Sequence, residues 1–183
     1  LIGHDESENK VIHTWGSPIE YDFYPKPHWE INDNLNIIDF EAGVKVSGSR
    51  FFILRGQGAK LERALINWML DKHTNENKFE EIQVPALVKQ ETMTGSGNLP
   101  KFEENLYRDT GDDLWLIPTA EVPLTSIHHD DILNGNELPK YYVSYAPSFR
   151  KEKTSAGRDT RGIKRVHQFN KVELYKIVTP ESS

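Results

Sequence analysis

From Arg165 to Val178 the chain alternates with a period of two, and no other stretch limits its fold as tightly. Arg165, His167, Phe169, Lys171, Glu173 and Tyr175 fall on one parity, and Val166, Val172, Leu174 and Val178 fall on the other. Successive side chains of a strand point to opposite faces. The segment is therefore predicted to be a strand with one charged and aromatic face and one apolar face, the apolar set turned to the core. Upstream, Arg150 and Glu152 share a parity on a strand read from Phe149, and the polar residues 153–162 form the loop between the two. A face that combines Arg for phosphate, an aromatic ring for stacking and Glu for an amino group can hold a nucleotide. The same pattern also fits a solvated sheet face laced with cross-strand ion pairs, and the alternation by itself does not separate the two.

Charge adds a second constraint. Between Arg150 and Lys171 stand eight cations and only two carboxylates, Glu152 and Asp159. The local excess is six positive charges on a chain whose net charge is −6, so the remainder has a net charge of −12. A basic hairpin on an acidic body draws polyanions by its field. The competing reading is a basic edge that keeps the sheet soluble.

The rest of the chain supplies the frame. Residues 1–35, punctuated by Pro18, Pro25 and Pro27, are read as a linker or docking segment with short strands at most. Leu61, Ala64, Leu65, Trp68 and Met69 follow helical spacing and make an amphipathic stripe. Strands are expected at Phe51-Phe52-Ile53-Leu54, Glu81-Ile82-Gln83-Val84, Leu114-Trp115-Leu116-Ile117 and Tyr141-Tyr142-Val143-Ser144-Tyr145, with loops over 90–113 and a helix starting at Glu121. Strands without β-α-β alternation indicate an α+β fold with a largely antiparallel sheet. No apolar run approaches the roughly 18 residues of a membrane span. With no cysteine, a disulfide framework, a thiolate metal site and a cysteine nucleophile are excluded. With no export signal either, a cytoplasmic setting is the expectation. The ends, Leu1-Ile2-Gly3 and Glu181-Ser182-Ser183, are read as cuts within a longer protein.

Other candidates are weaker. Thr119-Ala120-Glu121 offers a hydroxyl and a carboxylate at a strand end, or simply a helix cap. His128-His129-Asp130-Asp131 is adjacent in sequence, which spreads side chains around a helix instead of gathering them on a metal. Gly95-Ser96-Gly97 lacks the Lys-Ser/Thr of a phosphate loop and is a turn.

Phe149-Arg150-Lys151-Glu152, the basic loop, and Arg165-Val166-His167-Gln168-Phe169-Asn170-Lys171-Val172-Glu173 together resemble motif 2 of the class II aminoacyl-tRNA synthetases, in the form seryl-tRNA synthetases carry. Lys45-Val46-Ser47-Gly48-Ser49-Arg50-Phe51 through Val84-Pro85 resembles motif 1, and Gly95-Ser96-Gly97-Asn98-Leu99-Pro100-Lys101-Phe102 and Thr119-Ala120-Glu121-Val122-Pro123-Leu124 are similarly placed. The resemblance implies an antiparallel-sheet class II catalytic core flanked by helices and incomplete in this chain. Residues 36–183 would be its N-terminal part, with motif 1 at about 45–88 and motif 2 at about 146–178.

The resemblance also implies roles. Arg150 would contact the α-phosphate of ATP and of seryl-adenylate, and Arg165 the outer phosphates, these two arginines being the catalytic residues. Glu152 would accept from the adenine amino group and Phe169 would stack on the base. Thr119, Glu121, Arg150 and Glu173 would hold L-serine, and Arg158 and Arg161 would approach the tRNA acceptor end. The implied partners are ATP, tRNA(Ser), with tRNA(Sec) as a second candidate, and a second copy of the chain, bound through motif 1. Motif 3, part of the serine pocket and the Mg2+ ligands would lie beyond Ser183, so no metal ligand is expected here and the chain by itself should be inactive. A synthetase-like binding protein without charging activity and a plain RNA-binding module are the rival classes.

Overall fold

The structure, a computed structural model, describes residues 3–153 and 161–182. Residues 9–27 run extended and largely exposed, with Val11, Ile12, Trp15, Ile19 and Tyr24 open to solvent. Helix α1 (His28–Leu35) follows, so the first 35 residues are not limited to short strands. It ends where Asn36 takes a left-handed conformation, φ 50°, and returns its N–H to Asn32 O. The Asn32 side chain then brackets the next turn, its amide oxygen accepting from the Ile37 and Ile38 N–H groups while its nitrogen donates to Ile38 O.

Strand β1 (Ile38–Asp39) pairs antiparallel with β2 (Ile53–Leu54), and helix α2 (Phe40–Ser47) fills the connection. Asp39 caps α2 by accepting from Ala42 N at 2.8 Å and meets Arg55 at 2.6 Å. The Ala42 N–H is the larger cause of a carboxyl acidity raised above the ordinary Asp value. At Gly43 a Cβ would fall 2.4 Å from Phe52 Cα, so only glycine lets α2 rest on that backbone.

Helix α3 (Gln57–Asn75) carries the expected stripe, but Leu61, Leu65 and Trp68 are exposed. The half-buried positions are Glu62, Ile66, Met69, Leu70, Lys72, His73 and Thr74. Periodicity located a helix and an apolar stripe; it did not reveal that the stripe turns outward.

The central sheet has the order β3 (Glu80–Glu81), β6 (Lys140–Phe149), β7 (Gln168–Ile177), with β3 parallel and β7 antiparallel to β6. A second layer consists of β4 (Leu87–Lys89) antiparallel to β5 (Leu114–Leu116), with helices α4 (Gln90–Gly95) and α5 (Glu121–Ser126). Helix α4 stands where loops were expected: its Met93 is fully buried, and that anchorage outweighs the glycines around it. The core lies between the layers. Met93, Ile117, Val122 and Leu124 are sealed from solvent and gather with Tyr142 and Ala146 of β6.

Two strand expectations are corrected. Residues 141–145 and Phe149 belong to one ten-residue strand, β6, and its pairing with β7 ends at Phe149↔Gln168. Arg150, Glu152, Arg165 and His167 therefore lie in the connection, not on strands, and Glu152 adopts φ 49°. The faces are also reversed. Lys171 and Glu173 stand opposite Ala146 and Ser144 on the inward side, while Leu174 is 43% exposed. The reason lies across the hairpin: Ser144, Ala146 and Ser148 are small and buried, which leaves room for the long side chains of β7 beneath the second layer.

Candidate functional site

The cleft between the layers is a cavity of about 440 Å³. It is lined by Arg150, Glu152 and Arg165, by Pro118, Thr119 and Glu121, and by Ser96, Gly97 and Phe102.

Arg150 begins the connection and is tied at both backbone and side chain. Its N–H donates to His167 O at 2.9 Å, and its carbonyl lies 3.0 Å from His167 Nδ1. Its guanidinium donates from Nε to Pro118 O at 3.2 Å and lies over the Phe169 ring, 5.1 Å from the centroid. Glu152 Oε2 meets Arg165 Nη1 at 3.3 Å, and Arg50 Nη1 donates to Glu152 O at 3.1 Å. A carboxylate between two arginine-bearing segments is thus aimed into the same space as the Arg150 guanidinium. Strand parity alone did not bring these groups together; the left-handed backbone at Glu152 does.

Thr119 follows β5, and its hydroxyl donates to Glu173 Oε2 at 2.6 Å. It also accepts from Lys171 Nζ at 3.0 Å and from Glu121 N at 3.4 Å. Thr119 is not the N-cap of α5, which is Ala120 without a side-chain cap bond, and its hydroxyl is instead shared among Glu173, Lys171 and the Glu121 N–H. Lys171 forms an ion pair with Glu173. Lys171 was legible as a member of the face but not as a site residue; its signal was the i, i+2 spacing from Glu173.

Not every sequence candidate lines the cavity. Phe169 lies at its border, facing a second hollow with Phe51, Phe52 and Glu62. Glu173 reaches it through Thr119. Arg161 stands apart, with its guanidinium 5.1 Å from the Trp29 ring of α1, and the adjacent Ile163 N–H donates to His28 Nε2 at 2.8 Å. At Gly162, φ 81°, a Cβ would fall 1.9 Å from that nitrogen. Arg158 lies outside the described residues. Among the described residues, no helix is long and apolar enough to cross a membrane.

An open, mixed sheet whose antiparallel hairpin carries an Arg–Glu pair on its connection, facing a second layer that supplies a hydroxyl, is the arrangement of a class II aminoacyl-tRNA synthetase core. Residues 101–183 match the family model of the tRNA synthetase class II core domain (G, H, P, S and T). The chain is 58% identical to the serine–tRNA ligase of Roseiflexus sp. (strain RS-1), over 99% of this chain and 42% of that protein. The crystal structure of seryl-tRNA synthetase from Pyrococcus horikoshii complexed with ATP superposes with a TM-score of 0.84 at 42% identity, covering 89% of this chain and 36% of that one. The cytoplasmic serine–tRNA ligase of Naegleria fowleri in complex with AMP gives 0.87 at 32% identity, covering 97% and 42%. Within that class, the relatives to which the chain is similar are seryl-tRNA synthetases. The chain spans less than half the length of the curated relatives it matches.

Proposed function

We propose that the protein containing this chain activates L-serine with ATP and transfers the seryl group to tRNA(Ser), with tRNA(Sec) as a second acceptor. The observation that carries this reading is the cavity itself: Arg150, Glu152 and Arg165 line it together with Thr119, whose hydroxyl joins Glu173. In the first step a serine carboxylate oxygen attacks the α-phosphorus of ATP. The bond to the bridging oxygen breaks, and pyrophosphate leaves with the electron pair. Arg150, pinned by Pro118 O and Phe169, offsets charge that grows on the α-phosphoryl oxygens without having to reorganise. Arg165 takes the outer phosphates, Glu152 accepts from the adenine amino group, and Phe169 supports the base. Mg2+ would neutralise the phosphates, held by residues outside this chain.

Serine must be told from alanine, and a buried acceptor left unpaired by the wrong substrate does that best. Glu173, its side chain 15% exposed, fits that role, with Thr119 and Glu121 on the amino group. Arg158 and Arg161 would meet the acceptor end of tRNA. The outward stripe Leu61, Leu65 and Trp68 is the surface through which two copies would pair, and the setting is cytoplasmic. On this reading residues 1–35 dock the chain to a preceding arm, and residues 36–183 form the N-terminal part of the catalytic domain.

The test is ATP–pyrophosphate exchange by the full-length protein. Exchange driven by serine, with alanine and threonine ineffective, is the expected result. Exchange driven by another amino acid in place of serine would sink the assignment.

A further inference from the structure

The Thr119–Glu173 corner holds a cation that the serine reading leaves without a task. Lys171 and Glu173 are two residues apart on β7, so both project inward, opposite the small buried residues Ala146 and Ser144. The Lys171 ammonium pairs with Glu173 and donates to Thr119 Oγ1 at 3.0 Å, while that hydroxyl donates to Glu173 Oε2 at 2.6 Å. The ammonium thus sits on two oxygens that the serine reading assigns to the substrate. With the serine ammonium on Thr119 and Glu121 and the serine hydroxyl on Glu173, the Lys171 ammonium would meet a second cation at the Thr119 hydroxyl, and repulsion at that distance means that one must leave.

Lys171 is the group built to leave. Its side chain is 33% exposed, and a flexible four-carbon stem carrying a strongly hydrated charge can turn into water at little cost. Arg150, fixed by Pro118 O and stacked on Phe169, has no such freedom. We propose that Lys171 is an internal surrogate for the substrate's ammonium group. It holds Thr119 and Glu173 in binding geometry and is displaced when the amino acid arrives. This rests on the serine reading of the site and makes Lys171 a positioning residue, because it sets the acceptor pair and then gives up its place.

The experiment uses the full-length protein and two probes, serine and ethanolamine, which keeps the ammonium and hydroxyl but has no carboxylate. Calorimetric titration compares the unaltered protein, Lys171→Met and Lys171→Arg, with AMP binding in each sample reporting an intact fold. Ethanolamine should bind Lys171→Met roughly tenfold more tightly, because no charge-assisted hydrogen bond has to be surrendered, and Lys171→Arg should restore the original affinity. Unchanged or weaker ethanolamine binding overturns the proposal. Weakened serine binding with unchanged ethanolamine binding also overturns it, by placing Lys171 on the carboxylate. If Lys171→Met loses AMP binding, Lys171→Gln carries the same expectation. Absence of serine binding by the unaltered protein defeats the underlying serine reading, whereas serine binding with ethanolamine insensitive to Lys171 defeats only the surrogate role.

Discussion

The two faces of the β6–β7 hairpin invert the usual distribution of polarity. The inward face carries Lys171, Glu173 and Phe169 beneath a second layer, while the outward face presents Leu174, 43% exposed. Charges that a stable core would exclude are drawn inside, and apolar groups that a core would take are left out. A half-buried ion pair such as Lys171–Glu173 adds little to the stability of a fold, and on the proposed function it serves the chemistry of that face. Exposed apolar groups such as Leu61, Leu65 and Trp68 point to a partner surface. On the proposed function the difference separates a face that meets a ligand from one that meets another chain.

The largest expected effect tests the inward face at its phosphate end. Arg150→Ala in the full-length protein should reduce serine-dependent exchange by roughly 10²–10³-fold, the scale of a lost transition-state donor. Its melting temperature should move by only a few degrees. If exchange survives, the charges of this face are structural and the contrast with the outward face loses its meaning.

A smaller effect is expected at the other end. Thr119→Val keeps the volume but removes the hydroxyl that bridges Glu173, Lys171 and the start of α5. The KM for serine should rise roughly ten- to a hundredfold, consistent with one charge-assisted hydrogen bond, while the KM for ATP stays put. Equal changes in both would show that Thr119 supports the cleft as a whole and does not define a serine end.

The sequence disclosed these faces unevenly, for physical reasons. Alternation placed Lys171 and Glu173 together because side-chain parity in a strand is geometric. It could not tell which parity is inward, since that depends on the partner strand, and here Ser144, Ala146 and Ser148 make the space. Parity also failed for Arg150, Glu152 and Arg165: it holds only within regular strand, and Glu152 at φ 49° breaks it. The motif resemblance identified these residues regardless, because a motif records which side chains meet without recording the backbone that brings them together. The α3 stripe shows the same limit. Its spacing fixed the helix, while the direction of the stripe depends on what else is available to cover it.

The smallest effects sharpen the comparison most, because they fall on one face of one pair. Val143 and Leu174 are directly opposed in the β6–β7 register and share the outward face, yet Val143 is fully buried and Leu174 is open. Helix α3 packs on both strands, and Leu174 lines a hollow with His73, Phe79 and Tyr141. Val143→Thr keeps β propensity and shape but buries a hydroxyl, and should cost about 1–3 kcal/mol in chemical denaturation. Leu174→Thr puts the same residue type opposite it and should stay within about 0.5 kcal/mol. A comparable loss at both positions in the full-length protein would mean that another segment covers Leu174 there. The exposed half of this face would then belong to the core of the whole protein, and only the α3 stripe would remain as surface for a second copy.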